Sequence, residues 1–69
     1  MYIVIELQTD ASGQTANIVT GHETKAAAES KYHQILSAAA VSNVPIHSAV
    51  MLTPEGYAQK SDFYRHESE

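Results

Sequence analysis

The chain has 69 residues, eight acidic and four basic side chains, a formal net charge of −4 and no cysteine. This length allows one domain, and the absence of cysteine excludes disulfides and thiolate metal sites. The acidic balance argues against binding to DNA, RNA or anionic lipid, and no apolar stretch approaches the ~20 residues of a membrane span.

The N-terminus has no basic segment and leads directly into an apolar strand, so we expect no signal peptide and a cytoplasmic location. A chain of this size buries only ~60% of the surface that its unfolded form exposes. Small domains usually add disulfides, a metal or oligomerisation to a core of this kind. With disulfides excluded, oligomerisation remains open.

Residues 2–9 are predicted to form the first strand, because β-branched and aromatic residues dominate them. The turn residues of 10–13 follow, and residues 14–20 complete a hairpin as a weaker, more polar second strand. The alternation of side chains places Ile3, Ile5 and Leu7 on one face of the first strand. The other face receives Tyr2 and Val4, followed by two polar residues.

A helix is predicted over residues 25–42, which are rich in strong helix formers. Thr24 suits the N-cap position, and Pro45 disfavours helical geometry at the residue before it. Apolar residues recur at helical spacing and form one narrow stripe. The stripe consists of Ala28, Tyr32, Ile35, Leu36 and Ala39.

Residues 46–53 and 57–64 are predicted to form the third and fourth strands around a Pro-Gly turn, with 65–69 as a frayed tail. The order is ββαββ, which predicts an α+β domain. The best strand formers, strands one and three, should be central, because polar strands suit sheet edges. We therefore predict a four-stranded antiparallel sheet in the order 2-1-3-4 with the helix on one face.

We expect the helix to cover the sheet face with the larger number of aliphatic side chains. That face consists of Ile3, Ile5, Leu7, Ile46, Val50 and Leu52. The opposite face is then left uncovered on the two central strands. Its residues are Tyr2, Val4, His47, Ala49 and Met51. Contiguous exposed apolar patches mark interaction sites, so these five residues are the predicted interface.

No catalytic, cofactor or metal site is predicted. The four histidines lack a recognised ligand spacing, and Glu29 with His33 forms only a two-residue pair on the helix. No serine lies in a G-x-S-x-G motif, and the three glycines are isolated turn residues. We therefore expect a protein that is not an enzyme.

Four segments resemble a family of short proteins of unknown function encoded by phages and prophages of anaerobic gut bacteria. The segments are residues 1–9, 16–20, 28–33 and 44–53. The similarity extends over nearly the whole chain and implies a phage-encoded protein. It leaves open a virion component, a host-takeover factor and an inhibitor of bacterial defence. It implies no catalytic or binding residue.

These observations predict a small non-enzymatic protein that assembles through its sheet, with itself as a homodimer or with a larger phage or host protein. We expect neither nucleic acid nor membrane as a partner. The alternative is a binder of small molecules or nucleotides that inhibits host defence. The aromatic rings for stacking would be Tyr2, Tyr57, Phe63 and Tyr64.

Overall fold

A computed structural model describes residues 1–66 of the chain. Its elements are β1 (Tyr2–Thr9), β2 (Thr15–His22), α1 (Lys25–Ala40), β3 (Ile46–Leu52) and β4 (Ala58–Arg65). All neighbouring strands are antiparallel, and their order is β2-β1-β3-β4. The predicted α+β fold and its strand order are confirmed.

The bounds of β1 coincide with the predicted ones, and each of the other elements differs from its prediction by one or two residues at one or both ends. The helix ends at Ala40 rather than at residue 42, because Val41 leaves helical geometry while its N–H bonds back to Ala38 O. The last strand extends to Arg65, which was predicted to belong to the tail. His66 donates its backbone N–H to Pro45 O at 2.6 Å, and residues 67–69 of the predicted tail lie outside the described residues.

Both hairpins turn where the sequence predicts. In the first turn, the Asp10 carboxylate accepts the backbone N–H groups of Ser12 and Gln14, and Gly13 adopts a φ of 89°. In the second, Gly56 has a φ of 86° and donates its N–H to Thr53 O. Glycine adopts positive φ without the steric cost of a side chain, which explains its place in both turns.

Helix α1 begins at the predicted cap. The Thr24 hydroxyl accepts the N–H of Ala27 at 3.1 Å and so satisfies one of the unpaired donors at the helix start. The predicted stripe faces the sheet. Its buried members are Ala28, Tyr32, Ile35 and Ala39, and Leu36 is half-buried.

The sheet face beneath α1 is the opposite of the predicted one. Val4, Ala49 and Met51 are fully buried and pack in one cluster with the helix stripe, so the predicted choice of covered face is wrong. The aliphatic residues that were expected in the core lie on the other side of the sheet. They are Ile3, Ile5, Leu7, Ile46, Val50 and Leu52.

Backbone pairing and chain handedness explain which face is covered. Asp10 N donates to Gln14 O at 2.9 Å, and every second residue pair repeats this bond. The even-numbered residues of β1 therefore direct their N–H and C=O groups toward β2. In a chain of L-residues, a right-handed crossover from β2 to β3 then lies on the side of the even-numbered side chains. Handedness decides the covered face, and the number of aliphatic side chains does not.

Candidate functional site

The five residues of the predicted interface share one face of the sheet, but that face lies under α1. Val4, Ala49 and Met51 are 0% exposed and His47 is 4% exposed, while Tyr2 is half-buried against the same cluster. These residues belong to the core of the folded chain and form no surface that another molecule could reach. The candidate site moves to the opposite side of the sheet.

The open face is defined here as the sheet surface opposite α1. It consists of Ile3, Ile5 and Leu7 of β1, Ile46, Ser48, Val50 and Leu52 of β3, Val19 of β2 and Phe63 of β4. Ile5 lies at its centre, opposite Val19 on one side and Val50 on the other. The sequence contains the information that identifies this face. The first hairpin determines which residues of β1 bond to β2, and this in turn determines which side chains lie on each face.

Exposure increases from the centre of the open face to its rim. Ile3, Ile5 and Leu7 are half-buried by one another and by their strand neighbours. At the rim, Val19 is 56% exposed and Phe63 is 59% exposed. No element among residues 1–66 packs over this face, so a contiguous apolar surface spans all four strands.

A shallow groove of about 440 Å³ runs along the open face between β3 and β4. Ile46 and Val50 form its apolar floor, and Phe63 forms a wall. Ser48 and Ser61 place hydroxyl groups beside this ring, since Ser48 pairs with Phe63 and Val50 pairs with Ser61. Apolar walls with a few polar groups are typical of small-molecule sites.

The open face is nearly free of charge. The acidic side chains that the structure describes lie in the turns, on α1 and its preceding loop, or on the helix side of the sheet. They are Glu6, Asp10, Glu23, Glu29, Glu55 and Asp62. Arg65 lies at one end of the face, opposite Ile46. The acidic side chains among residues 1–66 are therefore directed away from this surface.

A polar pair lies under the helix, within the otherwise apolar covered face. His47 Nε2 lies 2.6 Å from Glu6 Oε2, and the same oxygen accepts the side-chain amide of Gln8 at 3.0 Å. His47 pairs with Gln8 across the β1–β3 ladder, so its ring reaches diagonally to Glu6. The two partners are 41 residues apart and meet because of the sheet register.

The hydrogen bonding of His47 indicates its tautomer. Its Nδ1 is buried and has no hydrogen-bond partner within residues 1–66. A neutral ring with the proton on Nε2 donates to the Glu6 carboxylate and leaves Nδ1 as an acceptor. The pair is therefore a buried hydrogen bond that joins β1 to β3 beneath α1.

The other histidines are dispersed. His22 bonds to the Thr20 hydroxyl at 3.0 Å, and His66 bonds through its ring to Ala39 O at 2.8 Å. Glu29, the residue considered together with His33 as a metal ligand pair, is bound to Lys60 at 2.7 Å. The hydrogen bond from Lys60 is the largest cause that lowers the pKa of Glu29. Within residues 1–66, no group of three metal-ligating side chains is found.

Comparison with known proteins adds no relative: no family model, no curated protein and no solved structure matches the chain. Among residues 1–66, α1 is too short and too polar to cross a membrane.

Proposed function

We propose that this chain is a small, phage-associated, non-enzymatic assembly protein that buries its open face against a second copy of itself. One observation supports the proposal above all. The two central strands present six aliphatic side chains that no helix or strand among residues 1–66 covers. Contiguous apolar surface of this kind marks an interaction site in soluble proteins. Its phage association is supported by the resemblance of the sequence.

The size of the open face suits a pair of chains. About seven residues per strand at ~3.4 Å span ~24 Å, and four strands at ~4.8 Å span ~19 Å, which gives a flat area of about 450 Å². Two copies in full contact bury about 900 Å² of flat area in total. The relief of the side chains raises this total toward the ~1,200 Å² at the lower end of stable interfaces. We expect a dissociation constant of about micromolar magnitude.

Charge and symmetry favour a second copy as the occupant. A chain with a net charge of −4 repels its own copy wherever acidic residues approach, and the open face has none among the described residues. Two sheets pack face to face with their strands about 30° apart, and a two-fold axis brings the same patch of both chains together. Ile5 at the centre then lies in the most deeply buried part of the interface.

Solution mass tests this proposal. The variant Ile5→Glu places a carboxylate of each chain in the interface, and we expect the mass measured by light scattering at about 200 µM to fall twofold. The matched control is Val41→Glu, which adds the same charge at a residue that is 84% exposed beyond the end of α1. We expect the control to keep the mass of the unmodified chain.

Circular dichroism of both variants separates loss of association from loss of folding. If Ile5→Glu unfolds, Phe63→Glu serves in its place, because Phe63 is already 59% exposed in the single chain and lies outside β2. A folded Ile5→Glu protein with an unchanged mass would contradict the proposal. So would an unmodified chain whose mass is the 7.5 kDa of one chain at this concentration.

The groove supports a second candidate function, the binding of a nucleotide or a similar small molecule. The exposed ring of Phe63 is available for stacking on a base, and the hydroxyls of Ser48 and Ser61 are available for hydrogen bonds. A thermal-shift screen against a nucleotide panel tests this candidate. We expect a binder to raise Tm and Phe63→Ala to abolish the rise, and an unchanged Tm with every nucleotide would refute it.

A further inference from the structure

The two edges of the sheet differ in how they are protected from other chains. The β4 edge bears Lys60, Asp62 and Arg65, and its pairing with β3 is interrupted by an irregularity after Met51. The Asp62 carboxylate also accepts the backbone N–H of Phe63 at 2.8 Å. Charges, bulges and occupied backbone groups all discourage the addition of another strand.

The β2 edge has none of these features. Its eight residues include no lysine, arginine, aspartate, glutamate or proline, and its register with β1 is unbroken from Thr15 to His22. Ile18 is 52% exposed on the helix side and Val19 is 56% exposed on the open face. Long, uncharged edge strands with exposed apolar residues pair readily with another strand.

The pairing of the first hairpin shows which backbone groups are available. The Asp10–Gln14 pair is hydrogen-bonded, and every second pair along the hairpin is hydrogen-bonded in the same way. The even-numbered residues of β2 therefore bond to β1. The odd-numbered residues Thr15, Asn17, Val19 and Gly21 therefore direct their N–H and C=O groups away from the sheet. Within residues 1–66 no strand lies beside them.

We propose that β2 pairs antiparallel with β2 of a second copy around a two-fold axis at Ile18. This register places Ile18 opposite the same residue of the second copy, Asn17 opposite Val19, and Thr15 opposite Gly21. All the outward groups of both strands are then paired, and the two side chains at Ile18 form a non-hydrogen-bonded pair, in which side chains approach most closely.

Three features favour a second copy over an unrelated strand. In this register residues 15–21 of β2 lie opposite the same residues of the second copy, and no acidic residue of β2 opposes another. The charged β4 edges then lie at both ends of an eight-stranded sheet, so the assembly closes without growing further. This surface is distinct from the open face, and the two together predict an assembly of four chains.

Charge exchange at Ile18 tests the pairing. In Ile18→Lys and in Ile18→Glu, like charges face each other across the axis, and we expect each variant to halve the solution mass. An equimolar mixture places lysine opposite glutamate, and we expect it to restore the original mass. The control Gln59→Lys adds a charge to the exposed β4 edge and should leave the mass unchanged.

The masses distinguish failure of this inference from failure of the open-face proposal. If both hold, the unmodified chain is four times 7.5 kDa, and Ile5→Glu and Ile18→Lys are each half of that. If the open face alone associates, Ile18→Lys leaves the mass unchanged. If the β2 edge alone associates, Ile5→Glu leaves the mass unchanged and Ile18→Lys halves it.

Amide exchange measured by NMR gives a second readout. We expect the outward N–H of Val19 to exchange at least about tenfold faster in Ile18→Lys than in the unmodified chain, because it loses its partner. The N–H of Phe63, which is bound to Asp62, should exchange equally in both proteins. Equal exchange at Val19, together with no recovery of mass in the mixed variants, would overturn the pairing.

Discussion

Val4 offers the sharpest test of which sheet face the helix covers. It is 0% exposed in the cluster beneath α1, paired with Met51 across the central ladder. The change Val4→Ala removes two methyl groups, and since deletion of one buried methylene costs about 0.5–1.5 kcal/mol, we expect a loss of about 1–3 kcal/mol in the free energy of unfolding. For a domain of this size, each kcal/mol lowers Tm by about 4–8 °C.

The matched control is Val19→Ala, the same chemical change at a strand residue that is 56% exposed on the open face. We expect this variant to lose less than about 0.5 kcal/mol, as is usual for surface substitutions. Urea denaturation at two low protein concentrations measures both variants and shows whether association contributes. Equal losses in the two variants, or a larger loss in Val19→Ala, would refute the observed placement of the helix.

Three further predictions concern individual polar contacts. Replacing Glu6 by leucine removes the acceptor of the buried His47 ring and should cost about 1–3 kcal/mol in urea denaturation, and the additional change of His47 to leucine should recover much of the loss. The change Thr24→Ala removes the helix cap and should lower stability by about 1 kcal/mol, and an unchanged Tm would contradict the cap. The hydrogen bond from the Ser12 hydroxyl is the largest cause that holds the pKa of Asp10 below its ordinary value of 3.8. The stability that Asp10 contributes is therefore present above the ordinary pKa and lost as pH falls through the lowered one. We expect Ser12→Ala to raise the pKa of Asp10 in an NMR titration, and an unchanged pKa would contradict this assignment.

The sequence predicts both turns and the helix cap, because local residue preferences determine each of them. It predicts the strand order because the more polar strands suit the sheet edges. Gly13 and Gly56 lie at positive φ, and Thr24 caps α1, all within a few residues of the pattern that indicates them. The helix stripe from Ala28 to Ala39 follows equally from its spacing. These features depend on contacts that are close in the chain.

The covered face was predicted wrongly because it was assigned by counting aliphatic side chains. That count favours the face of Ile3, Ile5 and Leu7, whereas the crossover from β2 to β3 places α1 on the face of Val4. Pairing parity and handedness determine the result, and both are properties of the backbone. The hydrogen bond between Glu6 and His47 is missed for a related reason. It depends on the register between β1 and β3, which brings together two residues that are 41 positions apart in the chain.

The central ladder between β1 and β3 has a consequence for the order of folding. Each hairpin closes through a short turn, but Thr9 and Ile46 are 37 residues apart and Ile3 and Leu52 are 49 apart. Joining the two halves therefore carries most of the loop-closure entropy of this fold. Helix α1 lies within that loop, and its 16 residues occupy ~24 Å once helical, at ~1.5 Å per residue. Early formation of α1 therefore shortens the effective loop. The helix thus sets how quickly the two hairpins pair during folding.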